Sequence, residues 1–527
     1  MQKQILSKPQ LHLNMMHVVL IVTTLMVIAG GIVDVFVVHH APAVSTPTTD
    51  SSPNTLPAPQ LPSGSGVPTS LNMGMPAGAS TIPITNLKAP ATSAHMKQFT
   101  LTAENATVSF GSGINIPSWT FNGVEPGPTL RVQQGDLVVV NVVNHLSFGI
   151  TIHWHGINIV NSADGVAGVT QDAIKPGQTY VYRFVTNDPG TYWYHSHQLA
   201  DEETTGGLFG MLIVDPKTPT IHADVDYSVA LHEWNTDNNQ TVFTLNNTAQ
   251  TLNEAARPGQ WVRLRIAETS NTASTAPHLV TLLGAPFKVV SLDGHDLNAP
   301  QWLHETPLPI GTAQRYDLLF QMPAQGSVSL VTAEEKDNLH YQRYPSIVIG
   351  QGSVPAQLPP VTSWFDMTTY GQPAHSAITA QSHFDTSYSI ALNNMMGTSL
   401  GRTGMTYTMN GKVFPNTGMI MVKEGQLVRI HLDNQSALYH PMHLHGHTFT
   451  VIAHNGQPLK GSPVYLDTVL VPPHSSYDIA FVANNPGIWM IHCHNFVHAN
   501  WGMDMMLMYD NYSTPFNVGT QSGNFPD

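Results

Sequence analysis

Cysteine and charged residues are scarce in this sequence. The 527 residues include one cysteine, Cys493, and only 10% are Asp, Glu, Lys or Arg. A single cysteine excludes an internal disulfide framework. The 20 Lys and Arg residues do not cluster and are outnumbered by 34 Asp and Glu residues, which gives a formal net charge of −14. This balance argues against nucleic acid as a partner, because nucleic-acid binding depends on neutralising phosphates with basic side chains.

Histidine, by contrast, is abundant. The chain has 28 histidines, more than Lys and Arg together. Histidine is the commonest metal ligand in proteins and changes its charge near neutral pH. The length gives room for roughly three to four domains with a sizeable buried core.

The amino-terminal region predicts a membrane anchor. Residues 15–33 (MMHVVLIVTTLMVIAGGIV) are mostly apolar and about as long as a membrane-spanning helix. Lys3 and Lys8 precede them, which favours a cytoplasmic amino end and places the rest of the chain outside the cytoplasm. The alternative is a signal peptide cleaved near the Ala-Pro-Ala at residues 41–43, with a secreted product. Residues 41–95 are rich in Pro, Ser, Thr, Ala and Gly and are predicted to form a disordered linker.

From about Met96 onward the sequence has the texture of an all-β protein. Short alternating apolar runs such as Leu137–Val143 are separated by Pro-Gly turn signals. The first and last parts of this region are similar to each other in the same order. The corresponding segments are 120–144 with 408–434, HWHG at 153–156 with HLHG at 443–446, 174–184 with 471–481, and 189–197 with 486–494.

A middle copy lies between these two. Its segment 283–294 aligns with 445–456, and its glycines stay in register. Thr281 and Leu283 stand where the third copy has His443 and His445. The middle copy is therefore predicted to keep the sheet, to lack the histidine pair and to act as a spacer between the outer copies.

The histidines occur in pairs with one residue between them. Residues i and i+2 of a strand point to the same face, so each pair presents two imidazoles side by side. About 1.5 such pairs are expected by chance at this histidine content, and the chain has five, four of them at equivalent places in the first and third copies. The pairs are His153/His155, His195/His197, His443/His445, His445/His447 and His492/His494.

The only cysteine stands inside the last of these pairs. On a strand its sulfur points away from the face that carries His492 and His494. A cysteine, two histidines and a distant methionine form the ligand set of a blue-copper site, and His498 and Met503 follow Cys493. Zinc also uses cysteine and histidine, but a zinc site does not explain the paired histidines of two repeats.

The motifs HWHG, HSH, HPMHLHGH and HCHNFVHANWGM, in this order, resemble the four copper-binding motifs of the multicopper oxidases, the laccase group. The resemblance covers about residues 96–509 and implies three cupredoxin-like domains, that is, Greek-key β-sandwiches or barrels. It implies four copper ions. The implied ligands are His440, Cys493 and His498 with axial Met503 for type 1, His153 and His443 for type 2, and His155, His195, His197, His445, His492 and His494 for the type 3 pair.

With this resemblance, the chain is divided as follows. The predicted segments are 1–40 anchor or signal, 41–95 linker, 96–217 first domain, 218–360 second domain without copper ligands, 361–512 third domain, and 513–527 carboxy-terminal tail.

The resemblance also implies an activity and its partners. We expect one-electron oxidation of phenolic or aromatic substrates at the type 1 copper, coupled to four-electron reduction of dioxygen to water, in a monomer. The alternative is a metallo-oxidase for Cu(I), Fe(II) or Mn(II). A non-catalytic cupredoxin scaffold is disfavoured, because all ten histidines and the cysteine are present.

Two acidic residues and several methionines complete the predictions. Asp164 matches an acidic position near the copper cluster of the family and is predicted to relay protons or orient a water, or else to form a turn with Gly165. Asp467 matches a position close to the type 1 histidine and is predicted to shape electron entry or to form a structural hydrogen bond. The methionines of residues 395–421 are interpreted as apolar packing, with Cu(I) binding as the alternative.

Overall fold

A computed structural model of the chain describes residues 55–74, 81–235, 240–271, 277–336, 340–354 and 364–527. All of them belong to one compact unit, Pro53–Asp527. Almost all of its regular structure is β-strand, so the predicted all-β class is confirmed. The predicted anchor, residues 1–40, lies outside the described residues. Within the described part of the chain, no helix has the length and hydrophobicity needed to cross a membrane.

The first pair of sheets is built from residues 96–215. One sheet has the strand order Asn115–Phe121, Met96–Ser109, Leu137–Asn144, Thr179–Val185, and the other has Gly127–Gln133, Phe209–Asp215, Gly190–His195, His153–His155. Alternation explains the strands: Val138, Val140 and Val142 are all fully buried. They pack with Trp154 in a core between the two sheets.

The second pair of sheets is built from residues 225–350. One sheet has the strand order Thr241–Leu245, Val225–Asn235, Trp261–Glu268, Arg315–Gln321, Phe287–Leu292, His295–Asp296, and the other has Leu252–Glu254, His340–Gly350, Ser327–Lys336, His278–Leu283, Leu308–Ile310.

The third pair of sheets is built from residues 386–509. One sheet has the strand order Arg402–Met409, Thr386–Ser399, Leu427–Asn434, Ser476–Val482, Phe449–His454, Gln457–Pro458, with Val464–Leu466 paired to Phe449–His454. The other has Met419–Val422, Asp504–Tyr509, Ile488–Cys493, His440–Leu444, Thr468–Val471.

The same topology occurs three times. In each pair of sheets, the first strand forms an antiparallel hairpin with the strand that follows it in the sequence, as Met96–Ser109 does with Asn115–Phe121. The opening strand also pairs in parallel with a later strand, as Met96–Ser109 does with Leu137–Asn144 and Thr386–Ser399 does with Leu427–Asn434. Val225–Asn235 repeats both pairings. The internal repeat in the sequence is therefore a repeat of one fold.

Few other regular elements occur among the described residues. They are the α-helices Ala200–Thr205 and Phe496–Asn500, the 3-10 helices Ile84–Asn86 and Asn161–Ala163, and the short strands Ile82–Pro83 and Tyr512–Ser513, which pair in parallel.

The predicted disorder of the linker is wrong for two stretches of it, residues 55–74 and 81–95. Met73 and Ile84 are buried there in one apolar cluster with side chains of the predicted tail 513–527, which is itself folded against the body. The average composition of the segment does not indicate that these apolar residues are buried, because they are widely spaced and their partners come from the far end of the chain.

Candidate metal centres

Strand pairing places the histidines of each outer repeat on a shared face. In the first repeat, His153 lies directly opposite His195 on the neighbouring antiparallel strand. In the third repeat, His443 lies directly opposite His492. The i and i+2 spacing then brings the second member of each pair to the same side. Each outer repeat therefore presents four imidazoles.

The two faces meet, and their imidazoles form one group that we call the eight-histidine cluster. Its members are His153, His155, His195, His197, His443, His445, His492 and His494, and all are buried. The rings of His153 and His445 are 4.0 Å apart between centroids, and those of His155 and His443 are 3.8 Å apart. The cluster is therefore completed only by residues from both outer repeats.

One ring nitrogen of many of these histidines is fixed from outside the cluster. His195 Nδ1 donates to the carbonyl of Ser196, and His197 Nδ1 donates to the carbonyl of Pro526, both at 2.8 Å. His443 Nδ1 donates to the carbonyl of Asp467 at 2.9 Å. Such bonds fix the ring orientation and the tautomer, as they do for metal-bound histidines.

The inner nitrogens have no such partners. Buried atoms without a hydrogen-bond partner among the described residues include Nε2 of His153, His195, His197 and His443. Buried polar atoms are nearly always paired, so this concentration of unpaired ring nitrogens needs an explanation. Metal ions at the centre of the cluster supply one.

The distances between inner nitrogens fit shared metal ions. His445 Nε2 is 3.0 Å from His492 Nε2, and His155 Nδ1 is 3.1 Å from His494 Nε2. Two nitrogens bound to one ion at about 2.0–2.1 Å lie about 3.0–3.4 Å apart for bond angles of about 95–110°. Burial also lowers the pKa of His197, His445 and His492, which keeps the imidazoles neutral and able to bind metal.

Two buried carboxylates contact different histidines of the eight-histidine cluster. Asp164 Oδ2 accepts from His445 Nδ1 at 3.0 Å, and Asp164 Oδ1 lies 3.2 Å from His153 Nδ1. Asp467 Oδ1 accepts from His155 Nε2 at 3.0 Å. Although burial favours the neutral acid, the adjacent Arg315 guanidinium holds the pKa of Asp467 well below its usual range.

The position of Asp467 differs from the prediction. The prediction placed it close to a type 1 histidine, whereas it contacts His155 and His443 of the cluster. His440 has another partner, since its Nε2 is 2.9 Å from Ser436 Oγ. The difference arises because the strand Thr468–Val471 pairs alongside His440–Leu444 and its amino-terminal end lies beside His443.

A second, separate group lies on the other side of the strand Ile488–Cys493. Cys493 Sγ is 3.5 Å from His498 Nδ1 and 3.7 Å from His440 Nδ1. A metal ion with one sulfur at about 2.3 Å and two nitrogens at about 2.0–2.1 Å in a trigonal arrangement separates sulfur from nitrogen by about 3.7 Å. The three atoms therefore fit one ion.

Local structure explains how the short loop after Cys493 positions this group. The Asn495 side chain caps the helix Phe496–Asn500 by accepting from the His498 main-chain N–H. Met503 is buried, and its main chain bonds to two of the proposed ligand residues. Met503 N donates to His498 O, and Cys493 N donates to Met503 O. Burial raises the pKa of the Cys493 thiol, so a bound cation is what would stabilise the thiolate here.

The structure separates one histidine from the paired set and adds residues that the sequence did not indicate. His447 lies outside the cluster, because its Nδ1 bonds to His445 O and its Nε2 to Tyr509 Oη. Tyr407 stacks on His498 with ring centroids 3.9 Å apart. Arg315, from the middle repeat, reaches Asp467. No spacing rule connects these residues, so the sequence alone did not suggest them.

Comparisons with known proteins agree with this geometry. Two multicopper oxidase family models match residues 102–219 and 385–513. The chain is 30% identical to the multicopper oxidase MmcO of Mycobacterium tuberculosis over 78% of this chain and 86% of that protein. It is 28% identical to Laccase-1 of Botryotinia fuckeliana over 80% of this chain and 83% of that protein.

Among solved structures, a multicopper oxidase from Pseudomonas thermotolerans superposes with a TM-score of 0.64 at 26% identity. The match covers 79% of this chain and all of that chain. The matches include the regions that carry both groups of metal-binding side chains. The chain belongs to the multicopper oxidase family, whose members are oxidoreductases that use oxygen and bind four copper ions.

Proposed function

We propose that this chain is a laccase-like oxidase that takes single electrons from small aromatic substrates and reduces dioxygen to water. The observation that carries the proposal is the position of Cys493, whose two chain neighbours, His492 and His494, are members of the eight-histidine cluster. The thiolate and the cluster are thus joined by a few covalent bonds. Bound copper would supply one-electron redox chemistry at Cys493 and four-electron reduction of dioxygen at the cluster.

The ligands follow from the two groups of side chains. His440, Cys493 and His498 would hold the type 1 copper, and the thioether of the buried Met503 would be a fourth, weaker ligand. His153 and His443, whose Nε2 atoms both lack partners among the described residues, would hold the type 2 copper.

The remaining six histidines would hold the type 3 pair. Of these, His197, His445 and His492 bring one nitrogen each within 4.8 Å of one another. His155 would bind through Nδ1, because Asp467 occupies its Nε2. The same rule assigns Nε2 to His195, whose Nδ1 is occupied by a carbonyl.

The chain itself excludes bulk water and fixes the geometry. Every member of the eight-histidine cluster is buried, and for seven of the eight a carbonyl or carboxylate partner on the outer side restrains the ring. Asp164 is the acid placed to hold or pass a proton, since it contacts His153 and His445. Ala499 offers no acid directly after His498, so Asp164 is our candidate for proton delivery.

A cleft beside the type 1 ligands suits an aromatic substrate. Its volume is about 1130 Å³, and its lining includes Trp119, Trp234, Asp201 and Glu202. Val497, the neighbour of His498, also lines it. Burial raises the pKa of Glu202 to about 7, so this carboxyl is suited to accept the proton that a phenol loses on oxidation. The two acids favour substrates that lose a proton on oxidation, such as phenols and aromatic amines.

Oxygen uptake by the copper-loaded full chain tests this function. With an electron-rich phenol such as 2,6-dimethoxyphenol, we expect one dioxygen consumed for about four phenols oxidised. Cys493→Ser should abolish uptake, whereas His222→Gln, a change at an exposed histidine paired with Asp224, should leave it unchanged. Copper-loaded protein without phenol-dependent oxygen uptake would contradict the proposal.

A metallo-oxidase is the second candidate, because the structure divides the methionines into two classes. Met409 and Met505 are buried and serve as packing. Met396 and Met405, opposite each other on neighbouring strands, are 67% and 43% exposed. Thioethers are ligands for Cu(I), and Tyr407, two residues from Met405, stacks on His498.

The two candidates make opposite predictions for one double variant. If Cu(I) is the substrate, Met396→Leu with Met405→Leu should lower kcat/KM for Cu(I) at least tenfold and leave the phenol value unchanged. Equal kcat/KM for Cu(I) in the variant and the parent would exclude these thioethers as a substrate site.

The proposed location and domain limits rest on the sequence. We place the oxidase outside the cytoplasm, held by residues 1–40, and divide the remainder into units at 96–217, 218–360 and 361–512. Membrane fractionation of the full chain and of a chain lacking residues 1–40 tests the anchor. Recovery of the full-length, uncleaved chain in the soluble fraction would contradict it.

A further inference from the structure

A single buried arginine of the middle repeat joins all three repeats beside the cluster. Arg315 Nε donates to the carbonyl of Thr191, on the strand that ends in His195, at 3.0 Å. Its Nη1 and Nη2 donate to the two oxygens of Asp467, in the third repeat, at 2.8 and 2.5 Å. Arg315 itself is fully buried. The middle repeat therefore contributes a side chain to the wall of the cluster.

The bidentate pair fixes the carboxylate that holds His155. Asp467 Oδ1 accepts from three donors: Arg315 Nη1 at 2.8 Å, His155 Nε2 at 3.0 Å and Thr468 Oγ1 at 2.8 Å. With Oδ2 held by the other arm of the guanidinium, the carboxylate plane cannot turn. His155 Nε2 therefore keeps its proton, and Nδ1 stays directed toward His494.

A second acid of the middle repeat completes the arrangement. Asp293 Oδ1 accepts from the main-chain N–H of Arg315 at 2.9 Å. Asp293 Oδ2 accepts from the main-chain N–H of Thr468 at 3.1 Å. Asp293 and Asp467 both pair with the guanidinium, so its positive charge is offset beside the cluster. A buried cation there without these acids would oppose the binding of metal cations.

The glycine of the HWHG motif gives this pair its space. Gly156 has φ +88°, and a Cβ atom on it would lie 2.4 Å from Arg315 Nη2 and 2.5 Å from Asp467 Oδ2. The glycine of the equivalent HLHG motif, Gly446, instead faces the ring of Trp489. The first motif is thus shaped to admit a side chain from another repeat.

The geometry points to Arg315 as a positioning residue for copper: by orienting Asp467 it sets the ring of His155 and couples the middle repeat to assembly of the cluster. This inference rests on the proposed copper-oxidase function. It gives the middle repeat a part in building the site beyond that of a spacer. Removal of partners of this kind costs about 10- to 100-fold in metal affinity.

The test compares two buried arginines of the middle repeat. Arg263 is also buried and pairs with Asp317 at 2.5 Å, and Asp317 accepts from Thr191 Oγ1, whereas Asp467 accepts from a histidine. Arg315→Met and Arg263→Met are loaded with copper, and three signals are recorded: copper per chain, the electron paramagnetic resonance signal of type 2 copper, and the absorbance near 600 nm from the Cys493 site.

For Arg315→Met we expect a 10- to 100-fold loss of affinity for the cluster coppers and a changed type 2 signal, with the 600 nm band retained as proof of a folded third repeat. For Arg263→Met we expect normal copper binding. If Arg315→Met does not fold, Arg315→Lys, which keeps the charge but not the bidentate bond, is measured with the same expectations. Cluster affinity and type 2 signal within twofold of the parent, or equal losses in both methionine variants, would overturn the inference. A parent chain that binds no copper would instead refute the proposed function.

Discussion

Replacing Asp164 by asparagine and by alanine separates two roles of one carboxylate. In the structure its two oxygens serve two histidines, with Oδ2 accepting from His445 at 3.0 Å and Oδ1 lying 3.2 Å from His153. His153 has a second acceptor, because the main-chain carbonyl of Asp164 lies 2.9 Å from the same Nδ1. For His445 Nδ1, the Asp164 carboxylate is the only acceptor among the described residues. Most of the effect should therefore fall on His445.

The magnitude follows from these bonds. A hydrogen bond to a charged group contributes about 1.5–3 kcal/mol, and a neutral one about 1 kcal/mol. Asparagine can turn its oxygen to His445 and loses the charge alone, which costs about 0.5–2 kcal/mol, or about 2- to 30-fold. Alanine removes the acceptor altogether, which costs about 2–3 kcal/mol, or about 30- to 150-fold.

Competitive copper titration and oxygen uptake across pH are the assays. If Asp164 only positions His445, saturating copper should restore turnover in Asp164→Asn. If it also relays protons, turnover at saturating copper should stay low and its pH profile should change. Asp136→Asn serves as the control, since Asp136 is a buried acid of the same repeat that accepts from a turn N–H. Affinity and turnover within twofold of the parent for both Asp164 variants would refute the reasoning.

Three further predictions concern other parts of the chain. Cys493→Ser should remove the 600 nm band and one of four coppers while the cluster coppers remain, by metal analysis; loss of all four would contradict separate sites. Despite burial, the charge of Glu268 raises the pKa of His278 to about 10. This pair therefore stabilises the fold fully below about pH 6.5, and the stabilisation is lost as pH rises toward 10. Glu268→Gln should flatten the dependence of the unfolding free energy on pH over that window, and an unchanged slope would refute this prediction. Gly446→Ala should lower the free energy of unfolding by about 2–4 kcal/mol in denaturant, because Cβ would lie 2.4 Å from an indole ring and φ is +64°. Gly456→Ala, at φ +71° with open space around Cβ, should lower it by only about 1–2 kcal/mol.

The fold and the meeting of the histidines were predictable because both follow from short-range periodicity. Alternation within strands such as Leu427–Asn434 identifies the buried face, and Val428, Ile430 and Leu432 are buried as the pattern requires. The i and i+2 rule pairs the histidines, and the internal repeat shows which pairs are equivalent. The register that places His443 opposite His492 then brings two pairs together.

Contacts between distant parts of the chain were not predictable in this way. Arg315 and Asp467 are 152 residues apart, and nothing in the alternation of either strand indicates that they meet. His197 depends on the carbonyl of Pro526, which the sequence assigned to a tail. Such contacts depend on how whole sheets pack, and a single sequence contains no signal of that packing. Asp467 was misplaced for the same reason, since its neighbours are set by the pairing of its strand.

The central claim is that the Cys493 site holds one copper and the eight-histidine cluster holds three. The main chain from Cys493 to His492 and His494 connects the two sites. Anomalous scattering at the copper edge from crystals of the copper-loaded chain measures this directly. The account predicts one peak bonded to Cys493 Sγ, His440 and His498, and three peaks among the eight histidines. An unbound Cys493 sulfur, or a histidine cluster without copper under saturating metal, would contradict it.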